Sequence, residues 1–517
     1  MVSEKSDIKI NPRSLEANDG KDNICSIKSQ EGDEKVYTYD EAIDLTGNGL
    51  YIYIMLLILA FALEGMALDI FGLSIVVTSA CDLELTHTQK STLLSMPFLG
   101  SVLLSYPWGY IADTQGRLKG LRICLWGSFI LASLSAFSPN WIVLAVLRFC
   151  STSFSSGIHS LSLTLLGESC SSKIKGTSLI GVTSLLYCTF GIYSTVGYFV
   201  LNLNFAFDLG FIIFTPWRLL TVVLAMPLGV SALFSLYFLE SPKFLLNIGD
   251  EEGALKLLTK ISARNGVKVD KYPVKKMVLN EITELRKDIP LLQSLMDQIV
   301  PLFKPPLIYR SIQLLFINGV IFSTNNGFYS WLPLVADRLS TSSNTDVTNG
   351  SLCELISNYG VQNNSSACIE TVTESTLWMS LILSFSLAFL NFGCSWLSSR
   401  KKAVLLCQLL ISFICGVAIP TVSGTVLKIT LFSGLLITSL SSSIVFSYFI
   451  DLFPTSYRGM ATCLGVMVAR ISGLAGLNII GIYIVSHCAS TFYSSSVFGL
   501  SGLVASMFLP PDKPKKQ

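Results

Sequence analysis

The sequence predicts an all-α membrane protein: twelve transmembrane helices arranged as two six-helix pseudo-repeats. Three observations predict it. Of 517 residues, 51% are hydrophobic and only 14% are charged, far fewer charges than a soluble domain carries. Runs of about 20 apolar residues, rising ~1.5 Å each, cross a hydrocarbon core of about 30 Å. Twelve such runs occur, six before a polar stretch from about Glu240 to Pro306 and six after it. Finally, charged motifs recur at a single offset of 283 residues.

The chain divides accordingly. Residues 1–48 form a polar cytosolic segment without an early apolar stretch, so no cleaved signal peptide is expected. Residues 49–239 form the first six-helix bundle and 240–306 a cytosolic central loop with amphipathic helices. Residues 307–509 form the second bundle, with an outer or lumenal loop at about 337–376, and 510–517 are a cytosolic tail.

Orientation follows from charge. Twelve Lys and Arg residues in the short connections fall on the side of the termini, against four (Lys90, Arg218, Arg338 and Lys428) on the other. That bias places both termini in the cytosol. The N-x-S/T sequons at Asn349, Asn363 and Asn364 all lie in the loop after the seventh span and are read as glycosylation sites on the outer or lumenal face. The same loop holds Cys353 and Cys368, expected to pair with each other in an oxidising compartment. The other cysteines, of thirteen in all, lie mostly inside spans as small apolar residues.

The first span carries two acids, Glu64 and Asp69. An ionisable group in a span costs about 2.5 kcal/mol or more unless it faces a cavity or a partner, so each is a candidate for solute binding or coupling. Five residues at about 100° each set the two roughly 140° apart, so both cannot aim at one small ligand. Arg148 in the fourth span and Arg470 in the eleventh have no charged counterpart at the 283 offset, where Leu431 and Tyr187 fall. Each is a solute candidate, with an ion pair to Glu64 or Asp69 as the alternative. His159 reads as a hydrogen-bonded packing residue. In the seventh span Asn325-Asn326-Gly327 is expected to interrupt the helix and present polar groups to a solute, with Tyr329 and Trp331 as an aromatic wall.

The connections carry a candidate cytosolic latch. Between the second and third spans lies Gly109-Tyr-Ile-Ala-Asp113-Thr-Gln-Gly116-Arg117-Leu-Lys119. Its glycines suit a tight turn, and its acid and bases suit charge-assisted links that hold one arrangement of helices. Between the fourth and fifth spans Glu168 and Lys175 precede Gly176; between the tenth and eleventh, Asp451 and Arg458 precede Gly459 at the same spacing. Glu168 to Asp451 and Arg117 to Arg400 share the offset of 283, so the third to fifth and ninth to eleventh spans align without gaps. Bases that merely set orientation would not repeat an acid and a base at one spacing. The copy is incomplete: Trp396 and Ser399 stand where the first half has Asp113 and Gly116.

The run from Gly109 to Lys119 resembles the signature between the second and third spans of the major facilitator superfamily, departing from it at Thr114. Tyr39-Asp40-Glu41-Ala42-Ile43 with Thr46-Gly47, and the seventh span with Gly327, Trp331 and Pro333, resemble the branch of synaptic vesicle glycoprotein 2 and its vesicle-protein relatives. Glu240-Ser241-Pro242-Lys243-Phe244-Leu245-Leu246 is similar to a motif shared by sugar porters, organic ion transporters and the vesicle proteins. Asp69 and Arg470 match an acid and a lysine of the vesicle glycoproteins, and Arg148 matches the arginine of the superfamily's second recurrent motif, although Thr152 and Phe154 replace glycines that usually follow it. The loop from about Asp337 to Thr376 is too short for the lumenal domain of the vesicle glycoproteins. The resemblance implies the major facilitator fold, with a solute site between the halves near midplane.

The expected function is a secondary-active transmembrane transporter of a small organic solute, such as an organic ion, working by alternating access. The alternative is a non-transporting vesicle, trafficking or binding protein that keeps the carrier fold. A net charge of +2 suggests no nucleic-acid partner, and no CxxC, HExxH, nucleophile–base set or nucleotide loop suggests a metal, cofactor or catalytic centre. The expected partners are the solute, protons and the lipid bilayer, with the chain as a monomer in the plasma or an intracellular vesicle membrane.

Overall fold

Apolar segments in lipid must satisfy their own backbone hydrogen bonds, and this chain does so almost wholly as helix. The computed structural model describes residues 36–267, 272–274, 276–278, 300–332, 335, 352–354, 356, 373–396, 400–453 and 455–511. Among them, the first half places its spans at Leu50–Ser79, His87–Gln115, Arg117–Phe137, Trp141–Ser169, Ser172–Leu185 continued by Thr189–Leu201, and Pro216–Ser235. The second half follows with Ile308–Ser330, Glu374–Trp396, Lys401–Thr421, Thr425–Leu436 continued by Thr438–Leu452, Thr455–Ser486, and Cys488–Met507.

Among the described residues, nine of these helices are long and apolar enough to cross a membrane by length and composition. The second, seventh and twelfth spans have the length, at 29, 23 and 20 residues. They are more polar because they carry amides and hydroxyls such as Asn318, Asn326 and Ser496 on buried faces. The outward faces are apolar, with Leu57, Phe61, Phe199, Phe389 and Ile482 exposed as lipid contact requires.

Small residues set the tightest helix contacts. Gly476 of the eleventh span lies against the backbone of Ser323 in the seventh, and Gly473 against the side chain of Asn326. Neither position has room for a Cβ, which is how membrane helices reach close van der Waals packing.

At the end of the bundle where the first span begins, the segment before that span folds together with the central loop. Val36–Thr38 pairs in parallel with Lys276–Val278. Thr38 then caps the helix Tyr39–Asp44 in a capping box with Glu41. The amphipathic helix Glu251–Arg264 buries Ala254, Leu258 and Ile261; Ala254 and Leu258 pack with Tyr39, Ala42, Ile43 and Met277 in a cluster separate from the bundle core, while Ile261 joins that core.

The expected Cys353–Cys368 bridge is corrected: Cys353 is bonded to Cys488, with Cα atoms 5.4 Å apart. Cys353 sits on a helical turn at Leu352–Glu354, whose Leu352 is fully buried. That packing seats its sulfur at the start of the twelfth span. Cys368 lies outside the described residues, as do Asn349, Asn363 and Asn364. Cys81, at the far end of the first span, is also disulfide-bonded.

Candidate functional site

The two first-span acids point to different helices, as their spacing requires. Asp69 is 2% exposed and accepts a hydrogen bond from Arg148 Nη1 at 2.8 Å, forming an ion pair with an arginine that is 3% exposed. Ser151 Oγ donates to the other carboxylate oxygen at 2.8 Å. Arg148 and Ser151 are three residues apart on the fourth span and so share a face. The pair is internal to the first half, so the structure realises the ion-pair alternative for Arg148.

Glu64 faces the fifth span. Thr189 Oγ1 donates to its Oε2 at 3.2 Å, while Oε1 is buried with no hydrogen-bond partner among the described residues. Tyr329 of the second half lies within electrostatic range of Glu64. Its ring meets Phe71 edge-on at 5.5 Å and Phe190 at 6.1 Å, so it closes the space beside Glu64 with aromatic edges.

The described polar contacts that join the halves are otherwise neutral. Ser91 Oγ donates to Asn478 Oδ1 at 3.0 Å, and Asn478 Nδ2 donates to Ser95 Oγ at 2.8 Å. The Gly191 amide donates to Ser384 Oγ at 2.7 Å, and Asn391 Nδ2 to Ser184 Oγ at 3.1 Å. The contacts of the Asn478 amide with the Ser91 and Ser95 hydroxyls are ones that sequence reading missed, because neither residue type stands out in a span.

Two seventh-span expectations are corrected. Ile308–Ser330 is one continuous helix, so Asn325-Asn326-Gly327 does not unwind it. The helix stays intact because glycines of the eleventh span make room for it: Asn326 fits over Gly473, and Gly327 over Gly476. Asn325 Oδ1 is buried without a hydrogen bond among the described residues. Trp331 packs over Gly481, with Nε1 donating to Leu477 O at 3.5 Å, and so binds its own half instead of walling a cavity. Of the expected wall, only Tyr329 reaches the other half.

Arg470 is half-buried at the middle of the 32-residue helix Thr455–Ser486. It has no hydrogen bond or ion pair among the described residues, so the ion-pair alternative is not realised here. His159 of the fourth span, in the other half, lies within its electrostatic range. His159 likewise has no hydrogen-bond partner among the described residues, contrary to the packing role expected of it.

The candidate latch gathers at the end of the bundle where the first span begins. Arg117 Nε is 3.3 Å from Glu168 Oε2, its Nη1 donates to Ala112 O at 3.2 Å, and its guanidinium lies 5.1 Å from the Phe244 ring centroid. Glu240 caps the third span, accepting from the amides of Leu118 at 2.9 Å and Lys119 at 3.4 Å, where a carboxylate favours a helix N-terminus. Ser241 Oγ donates to Glu168, and the Tyr39 hydroxyl donates to Glu168 O at 2.5 Å. Burial pushes the Tyr39 phenol well above its usual range, so it stays a neutral donor. Gly116 holds φ at +112°, and a Cβ there would come 2.5 Å from Glu240 Oε2. Gly109, by contrast, faces open space. Glu240 and Ser241 were legible as a motif but not as latch members. The side chains of Asp113, Lys175, Asp451 and Arg458 lie outside the described residues, and Arg400 is exposed at the start of the ninth span.

Comparison with known proteins agrees with this architecture. The sequence model of the Major Facilitator Superfamily matches residues 57–477. The chain is similar to Synaptic vesicle 2-related protein of Xenopus laevis, 25% identical over 486 residues, which are 92% of this chain and 81% of that protein. It is similar to Organic cation/carnitine transporter 7 of Arabidopsis thaliana, 27% identical over 260 residues, 49% of this chain and 48% of that one. Among solved structures, the xylose transporter XylE from E. coli in a partially occluded inward-open conformation superposes with a TM-score of 0.62 at 14% identity. That match covers 90% of this chain and 100% of XylE, a likeness of fold.

Proposed function

The chain belongs to the Major Facilitator Superfamily, and from that premise we propose that it is a secondary-active carrier of a small organic solute, working by alternating access. It is a multi-pass membrane protein, and the proposal sets its terminal side in the cytosol of a cell whose plasma or vesicle membrane it spans. One observation carries the reading. Each half carries an ionisable side chain within electrostatic range of a residue of the other half, Glu64 of Tyr329 and Arg470 of His159, and neither has an ion-pair partner among the described residues. Such groups cost about 2.5 kcal/mol or more inside a bilayer, and a cost placed at the moving interface of two bundles has its natural use in solute or proton binding.

The remaining contacts support the same reading. Asp69 with Arg148 and Arg117 with Glu168 lie within the first half, while neutral hydroxyl, amide and aromatic contacts lie between the halves. Halves that are each tied internally and touch through weak contacts suit rigid-body rocking. Glu64, with one free oxygen, is assigned the coupling proton; the paired Asp69 supports it.

The test is uptake into proteoliposomes holding the purified full chain, with labelled organic cations, anions, zwitterions and sugars, with and without an imposed proton gradient. Gradient-dependent accumulation of one class is expected. Failure of every solute to accumulate or to exchange would overturn the carrier reading in favour of a binding or trafficking role.

A further inference from the structure

The fifth span consists of two helices, Ser172–Leu185 and Thr189–Leu201, joined by the tighter turn Leu186–Cys188. A helix that restarts leaves first-turn amides in need of an outside acceptor, and the eighth span supplies one to the Gly191 amide, the hydroxyl of Ser384. The approach depends on the glycine, since a Cβ there would stand 3.1 Å from Ser384 Cβ. The two halves are thus clipped together at the joint in the fifth span.

Beside this clip a crevice of about 190 Å³ opens between the fifth and eighth spans. Cys188, Ile192 and Val196 line it from the first half, Leu381 and Phe385 from the second. Each set recurs every four residues and so forms one stripe along its helix. The result is a groove that runs with the spans. Polar groups of the lining are bonded to one another: besides Gly191 with Ser384, Thr195 Oγ1 donates to Gly191 O at 2.7 Å. What faces the crevice is hydrocarbon and one thiol, which packs as a small apolar group. An apolar cavity of about 150 Å³ stays dry and accepts an apolar ligand.

The bilayer supplies that ligand. Phe385 is 64% exposed, and Ile382 and Phe389 of the same span are exposed beside it. Phe199, which continues the fifth-span stripe, is exposed as well. Such faces are covered by lipid, and the lining residues lie more than a helical turn inside both ends of their spans, at the depth of acyl chains and not of headgroups.

We propose that this crevice binds one acyl chain of a membrane phospholipid, and that the chain, packed against both halves, stabilises the arrangement in which the two spans are clipped. Bilayer and lining are equally apolar, so close packing against the groove is what holds the chain. A crevice lined from both bundles exists only while those spans stand as they do here, so its occupant favours this arrangement over one in which they part. Binding needs the membrane setting and the fold alone, whether or not the protein transports.

The probe is phosphatidylcholine carrying a diazirine halfway along one acyl chain, added to the full-length protein in detergent, irradiated and mapped by mass spectrometry after digestion. Label is expected on the peptides carrying Cys188–Val196 and Leu381–Phe385, above that on the exposed first-span face at Leu57 and Phe61. Val196→Phe and Leu381→Phe fill the crevice from opposite halves. Each is expected to cut its labelling about 10-fold, because a filled crevice leaves the chain few contacts to make, with Leu57 and Phe61 labelled as before. Phosphatidylcholine should raise the Tm of the delipidated protein in a saturable way, and the two variants, which carry their own filler, should gain less. A diazirine placed in the headgroup should leave both crevice peptides unlabelled. If one variant does not fold, the other and the labelling map of the native protein decide. Crevice labelling no higher than at Leu57 and Phe61, labelling unchanged by the variants, labelling by the headgroup probe, labelling by a diazirine fatty acid but not by the phospholipid, or an equal gain in Tm with and without the filler each overturns the site.

Discussion

Arg148 and Asp69 form an ion pair at 2.8 Å in which the side chains are 3% and 0% exposed. Ser151 fills the second carboxylate oxygen, so the pair is satisfied within the first half and ties the first span to the fourth. Removing one partner of such a pair leaves the other charge buried alone, which is costlier than removing both.

Asp69→Asn is therefore expected to destabilise the fold by about 3–5 kcal/mol, and the Asp69→Asn/Arg148→Gln double variant to recover much of that loss. Thermal unfolding of the three purified proteins checks this. Equal loss in the single and double variants would show that the pair contributes little as a pair.

Glu64→Gln should abolish gradient-driven accumulation while leaving solute exchange in place, because exchange needs no net proton release. Counterflow and gradient-driven uptake measured on the same proteoliposomes separate the two. Uptake that stays fully gradient-dependent in the Glu64→Gln/Asp69→Asn double variant would eliminate proton coupling through the first span.

Gly116→Ala puts a Cβ against Glu240 Oε2 at a φ of +112°, at an expected strain of about 1–3 kcal/mol. Arg117→Ala removes the contact with Glu168. Both act at a cluster remote from midplane, so both should slow cycling more than they change solute affinity. Cross-linking across the two faces of the bundle should show a shifted distribution of states; an unchanged distribution counts against the latch.

A non-reducing peptide map should join the peptide carrying Cys353 to the one carrying Cys488. Recovery of a Cys353–Cys368 peptide instead would reinstate the pairing that sequence proximity suggests. Substituting both Cys353 and Cys488 by serine should lower thermal stability by about 2–5 kcal/mol, as loss of a native bridge closing a long loop does.

The sequence by itself determined the features that depend on local composition and spacing. Apolar runs marked the spans, because a bilayer accepts only helices of that length and polarity. The shared 283-residue offset marked the duplication, and five residues of helix placed Glu64 and Asp69 on different faces. The acidic and basic connections marked where a latch could sit. Only the tertiary structure decided the partners. Asp69 took Arg148 while Arg470 was left without an ion pair among the described residues; Glu240 moved from a family motif to the cap of the third span; Cys353 chose Cys488 over its neighbour in sequence. Asn325-Asn326-Gly327 reads as a helix breaker in isolation, yet stays helical because Gly473 and Gly476 of another span leave it room. Periodicity fixes which way a side chain leaves its own helix, but a pairing also depends on where the second helix stands. That placement is set by packing among residues hundreds of positions apart.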